Sequence, residues 1–286
     1  MNPNVSTAKK ILITPLDWGL GHATRCVPVI KEFLKQGCEV QIASSGDALI
    51  LLCEEFPHLK THSIVSYDAR YSSHLPLFIK MMIQLPKFLR AIKNEHRQIE
   101  EIVEKEKIDV IVSDNRYGCY SSRTKNIFLG HQLFIDSPFL PGFVNQLHLK
   151  AIQKFSLCWV PDNDQFSLTG KLTLNSSIRK RAVGYLSRFV WYESEIKYDL
   201  LVIISGPESQ RTLFEELIIK QLKDYKGKYF IVRGLPAAES SDKQMNHSAN
   251  HLPSEKLNEL VLQSNLILSR PGYSTLMDLA TLGKKA

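Results

Sequence analysis

Cysteine is sparse and unpaired in this chain of 286 residues: Cys26, Cys38, Cys53, Cys119 and Cys158 are odd in number and include no Cys-x-x-Cys pair. This usage excludes a disulfide framework and a thiolate zinc site, and it is that of a reduced cytoplasmic protein. Long hydrophobic runs are also missing. No stretch approaches the ~20 apolar residues that a membrane span needs, and residues 1–10 are polar, without the apolar centre of a signal peptide. A soluble cytoplasmic chain is therefore expected. A dinucleotide fingerprint is incomplete as well. Gly19-x-Gly21 has no third glycine, and the second strand ends Ala43-Ser44-Ser45, with an acid only at Asp47. Both gaps count against a nicotinamide-dependent oxidoreductase.

What remains is a globular composition. Hydrophobic residues make up 44% and charged residues 23%, which predicts a sizeable core. The length allows two domains of roughly 100–200 residues each. A net charge of +7 favours anionic partners, but charge alone does not choose among lipid, nucleic acid and phosphorylated substrates.

Residues 11–37 run continuously from a strand (Ile11, Leu12, Ile13) through a glycine turn into a helix with Val27, Ile30, Phe33 and Leu34 at helical spacing, closed by Gly37. A strand over 39–43, a helix over 48–55 stopped by Pro57 and a strand over 64–67 follow. This rhythm implies a parallel sheet covered by helices. Residues 75–93 are apolar and basic with no acid. A helix broken at Pro86, with Phe78, Ile79, Met82, Phe88 and Leu89 against Lys80, Lys87, Arg90 and Lys93, fits either packing on the sheet or a membrane interface. A charged helix over 93–107 comes next. Strands over 108–113 and 126–130 then bring Asp114, Arg116, His131 and Gln132 to the same edge as His22, because ligand groups collect at the carboxyl ends of open parallel sheets.

After a break at 138–142 come a helix over 145–155, a strand over 157–160 and a basic irregular segment with Lys171, Arg179, Lys180 and Arg181. The expected division is a flexible N-terminus (1–8), a first domain (9–185), a linker (186–198) and a second domain (199–286). That second domain opens with a strand from 200, a Ser205-Gly206 turn and a helix carrying Leu213, Leu217, Ile218 and Leu222. A strand over 229–232, a mobile polar loop over 237–250, a helix around Leu257, Leu260 and Val261 and a strand over 266–268 precede the last helix. Asp278 is expected near the first turn of that helix.

Two motifs carry a resemblance. Gly19-x-Gly21-His22-x-x-Arg25 follows the first strand, and Ser269-Arg270-x-Gly272-x-x-Thr275-x-x-Asp278-Leu279-Ala280-x-x-Gly283 follows a late one. Together they resemble the GT-B glycosyltransferases of family 28, which include the bacterial enzyme adding N-acetylglucosamine to lipid-linked muramoyl-pentapeptide, over residues 10–286. The resemblance implies an α/β fold of two Rossmann-like parallel-sheet domains facing a cleft. It implies an incomplete second domain, since such chains continue past the Gly283 position. A nucleotide-sugar donor, with UDP expected, would bind the second domain without cofactor or metal. Ser205 and Gly206 would line its phosphates. Gly272, the amides of Tyr273 and Ser274, and Thr275 would hold the diphosphate at a helix N-terminus, with Arg270 adding charge. Asp278 would take the ribose hydroxyls, and Leu252 would sit at the base. On the other side Gly19, Gly21, Arg25, Arg116, His131 and Gln132 would line the acceptor, a sugar or lipid-linked molecule at the inner membrane face, and His22 or Asp114 would be the base. Nucleic acid is not an implied partner.

Taken singly, the same residues allow plainer roles. His22 is as compatible with a structural hydrogen bond as with a base, and Asp114 with a helix cap. Arg25 and Arg116 can simply pair with carboxylates. Asp162-Asn163-Asp164 has the spelling of metal-dependent sugar transferases, but such triplets are common in polar turns and no third hard ligand is near in sequence. A nucleotide-sugar epimerase of the same fold and a non-catalytic sugar-nucleotide binder are the competing functions.

Overall fold

Apolar runs without alternation, such as Ile11-Leu12-Ile13 and Val110-Ile111-Val112, form strands that must be covered on both faces. In the computed structural model, which describes residues 8–68, 77–137, 140–173, 177–206, 208–235 and 247–286 but not the side chains of 77–82, helices cover them on both faces. The expectations for residues 1–7, Pro207, most of the 237–250 loop, and the side chains of Phe78, Ile79, Lys80 and Met82 lie outside the described residues.

The first sheet contains β1 (Lys10–Pro15), β2 (Glu39–Ser44), β3 (Lys60–Ser63), β4 (Val110–Asp114), β5 (Lys125–Leu129), β6 (Leu157–Val160) and β7 (Lys180–Ala182). Its order is β3-β2-β1-β4-β5-β6-β7, with every pair parallel. Helices α1 (Leu20–Lys35) and α2 (Gly46–Glu55) bury Val27, Ile30, Leu51 and Leu52 against Ile11, Ile13, Val40 and Ile42. Helix α3 (Leu77–Glu106) buries Ile99 and Val103 against Leu12, Ala43 and Ile111 on the opposite face. Helix α4 (Pro141–Ile152) lies between β5 and β6 in the chain.

The second sheet contains β8 (Tyr198–Ile203), β9 (Tyr229–Val232), β10 (Ser248–Ala249) and β11 (Ser264–Ser269), in the order β10-β9-β8-β11 and again parallel. Its helices are α5 (Gln210–Leu222), α6 (Ser254–Leu262) and α7 (Tyr273–Leu282).

Several expectations are corrected. The third strand lies at Lys60–Ser63 rather than 64–67, because pairing with β2 recruits a polar segment that carries no strand pattern. The helix expected to break at Pro86 continues for 30 residues. Proline removes one backbone donor, and burial of Phe88 and Ala91 against Leu16 and Tyr67 holds the turn that follows it. The basic irregular segment contains β7, and the polar loop contains β10; both are short edge strands. Leu213 and Leu217 face outward from α5, at 55% and 52% exposure, so they do not belong to the expected buried stripe.

Candidate active site

The reversal of strand order at β1 opens a crevice at the carboxyl ends of β1 and β4, and sequence and register fill it. The chain leaves β1 through Gly19, whose φ of 80° suits glycine, so that α1 starts at once above the strand end. His22 and Arg25, three residues apart, share one face of α1. Pro15 of β1, Asp114 of β4 and Leu129 of β5 lie in register, so Asp114 and His131 arrive at the same level.

The four side chains meet. His22 Nδ1 lies 2.9 Å from Asp114 Oδ1, and Arg25 Nε donates to Asp114 Oδ2 at 2.6 Å. Arg25 Nη2 donates to Asp114 Oδ1 and also stands 2.9 Å from His22 Nδ1. Arg25 Nη1 reaches His131 Nδ1 at 3.0 Å. Asp114 is completely buried, while the His22 side chain keeps 16% exposure to the cleft. Burial pushes the Asp114 carboxyl up, but the Arg25 guanidinium and His22 outweigh it and hold the pKa at about 2. Burial lowers His22 below the ordinary imidazole value against the pull of Asp114, with Arg25 adding to the lowering. Both effects favour a neutral imidazole beside an ionised carboxylate.

Two expected acceptor residues are not in this crevice. The Arg116 side chain is fully buried, bound to Glu95 Oε1 at 2.7 Å, Pro15 O at 2.8 Å, Ser45 Oγ at 2.8 Å and Asp17 Oδ1 at 3.2 Å. A guanidinium so occupied is a structural cation, not a ligand contact. Gln132 does not line the cleft, and its backbone carbonyl oxygen accepts from His148 Nε2 at 3.0 Å. The Asp162 carboxylate accepts from the Leu168 and Thr169 amides and the Thr169 hydroxyl, which makes it the organiser of its own loop.

The second domain supplies the opposite wall. Ser205, Gly206, Leu252, Gly272, Tyr273, Ser274, Thr275 and Asp278 all line the cleft that Gly19, Gly21, His22, Arg25 and His131 line from the other side. No side chain caps the N-terminus of α7, so its first amides and positive dipole end are open to an anion. Gly206 adopts φ +110°, and a Cβ there would collide with Arg270 Nη1. That nitrogen is buried with no partner among the described residues, while Nη2 donates to Gln210 Oε1 at 2.8 Å. Asp278 lies in the second turn of α7 rather than the first. It accepts from Ser187 Oγ at 2.6 Å, and burial pushes its carboxyl up to about 6 against the pull of Arg188.

The walls touch. Ser274 Oγ donates to Gly21 O at 2.7 Å, and Tyr273 Oη donates to Pro161 O at 2.8 Å. Sequence reasoning missed Trp18, Arg188 and His251, which also line the cleft. Trp18 stands inside the glycine turn and so had a positional signal. Arg188 had none, lying in the connection between domains; its Nη1 donates to Ser254 Oγ at 3.2 Å and its Nε is buried with no partner among the described residues.

Comparison with known proteins places this architecture. No protein-family model and no curated protein matches the sequence. Solved structures do match. The chain is similar to the spinosyn forosaminyltransferase SpnP, with a TM-score of 0.58 at 14% identity over 96% of this chain and 78% of that one. It is similar to the glycosyltransferase SnogD from Streptomyces nogalater, with a TM-score of 0.57 at 14% identity over 95% and 80%. It is also similar to Phytolacca americana UGT2, solved with UDP-2-fluoro-glucose and pterostilbene, with a TM-score of 0.55 at 13% identity over 96% and 78%. The fold is therefore that of the GT-B glycosyltransferases.

Proposed function

We propose that this chain transfers a hexosyl or N-acetylhexosaminyl group, with inversion, from a UDP-sugar to an acceptor hydroxyl. The observation that carries the proposal is the opposition of the His22–Asp114 pair to the uncapped N-terminus of α7 across one cleft. Such an arrangement suits displacement at an anomeric carbon. His22 takes the acceptor proton, the acceptor oxygen bonds to the sugar carbon, and the bond from that carbon to the diphosphate oxygen breaks. Asp114 is too buried to meet an acceptor and instead stabilises the imidazolium. The α7 amides and Arg270, with the Ser205-Gly206 turn beside it, receive the leaving diphosphate, supplying positive character from the protein itself. Asp278 accepts from the ribose hydroxyls, and Leu252 borders the base.

A lipid-linked acceptor at the cytoplasmic face of a membrane fits this reading. Ile83 and Leu89 are 67% and 55% exposed on α3, among exposed Lys87, Arg90 and Lys93. A screen of nucleotide sugars with and without acceptors tests the function. Sugar transferred to an acceptor from a UDP donor supports it, while isomerisation of donor alone favours an epimerase, and no binding of any nucleoside diphosphate overturns it.

A further inference from the structure

The imidazole of His131 lies flat on the phenol ring of Tyr273, with centroids 4.0 Å apart and planes within 3°. One ring comes from the end of β5 and the other from the first residue of α7, so the stack crosses the cleft. Tyr273 is anchored on its far side by the bond from its hydroxyl to Pro161 O. His131 is anchored by Arg25. A guanidinium only donates, so His131 Nδ1 accepts from Arg25 Nη1 and the ring proton sits on Nε2. Burial and the Arg25 charge hold this imidazole at about 3, so it stays neutral.

His22 Nδ1 stands 2.9 Å from both Arg25 Nη2 and Asp114 Oδ1, and a hydrogen bond to each requires the opposite tautomer of His22. If Arg25 donates to His22 Nδ1, the ring proton is on Nε2 and that nitrogen has no lone pair to offer. If His22 donates to Asp114, the proton is on Nδ1 and Nε2 is basic. Small displacements of one guanidinium thus decide whether His22 can accept a proton.

We infer that the Tyr273 ring is a positioning group: stacked on His131, it keeps the Arg25 guanidinium drawn toward His131 and Asp114, so that His22 Nδ1–H donates to Asp114. The donor-side helix and the acceptor-side base then share one chain of contacts, Tyr273–His131–Arg25–Asp114–His22. The functional consequence rests on the proposed base role of His22; the tautomer assignment does not.

Nitrogen-15 NMR of the histidine-labelled full chain, with His22 assigned by comparison with His22→Gln, reads the tautomer directly. The expected wild-type spectrum has His22 protonated on Nδ1. Tyr273→Ala moves it toward the Nε2-protonated form, Tyr273→Phe keeps the wild-type spectrum because the stack survives, and His131→Phe reproduces the Ala result because the stack survives without an acceptor for Arg25. With a transferase substrate, Tyr273→Ala lowers kcat by about tenfold, part of the 10²–10⁴ that a positioned base contributes. A wild-type His22 protonated on Nε2, or a Tyr273→Ala chain whose His22 signals do not move, overturns the inference. Calorimetry with UDP on the same wild-type sample separates the two ideas, since absent binding removes the sugar-transfer proposal and leaves the tautomer result standing.

Discussion

Glu55, the last residue of α2, accepts the backbone amide of Ser254, the first residue of α6, at 2.8 Å, and also accepts the Ser254 hydroxyl. A carboxylate of the first domain thus caps a helix of the second. The amide would otherwise be one of the unsatisfied donors at a helix start.

Removing this cap should loosen the junction. Hydrogen bonds to charged groups contribute about 1.5–3 kcal/mol, so Glu55→Ala is expected to lower the urea midpoint by a corresponding amount, with Glu55→Gln restoring part of it. Urea titration followed by circular dichroism measures both. Equal midpoints for all three chains would mean that the contact adds nothing.

Asp278 couples stability to pH with a definite sign. Its folded pKa of about 6 lies above the ordinary carboxyl value of 3.8, so the folded state holds the proton more tightly than the unfolded chain. The stabilising contribution is fully present below the unfolded pKa and is lost as pH rises through about 6. At neutral pH the buried carboxylate costs the fold on the order of 3 kcal/mol. Asp278→Asn is therefore expected to raise the melting temperature at pH 7.5 while changing it little at pH 4, and to weaken UDP binding. Differential scanning calorimetry at the two pH values, with and without UDP, tests all three statements.

Arg116 gives the opposite outcome. Breaking a buried pair leaves uncompensated charge, at a cost of roughly 3–5 kcal/mol, and here Glu95 and Asp17 would both lose their cationic partner. Arg116→Ala is expected to be strongly destabilised in denaturant titration. A stable variant with impaired acceptor binding would restore Arg116 to the acceptor site.

His22 is the most direct test of chemistry. His22→Gln should lower kcat by about 10²–10⁴ while leaving UDP affinity unchanged. Because burial holds the His22 pKa below its ordinary value, the wild-type kcat should stay on its plateau below pH 6.5 and fall only in more acid solution. A pH-rate profile checks this, and a His22→Gln enzyme of wild-type kcat would exclude the base role.

Much of the architecture was legible in the sequence. Strands rich in Ile, Leu and Val, the two glycine turns and the helix opened by Gly272 announce themselves through composition and spacing. The strands β3, β7 and β10 did not, because each is a short polar edge whose only reason to be extended is its neighbour. Continuity through Pro86 was equally hidden, since the packing of Phe88 and Ala91 outweighs one lost backbone bond. In the candidate site, His22, Arg25, Asp114, His131 and Asp278 were legible as polar residues at strand ends and in the first two turns of helices. Arg116 met the same criterion and lies elsewhere.

The division follows from the range of the interactions. Parallel sheets and turns at their carboxyl ends depend on residues a few positions apart, so the local pattern suffices to set them. Which charged groups form the crevice and which are sealed into the core depends on partners far away in sequence. Arg25 finds Asp114 across 89 positions, Arg116 finds Glu95 across 21, and Ser274 finds Gly21 across 253. Arg25, in the second turn of α1, and Arg116, two residues past β4, are the same residue type. Folding put the first beside a histidine that the cleft can reach and closed the second between two carboxylates that it cannot.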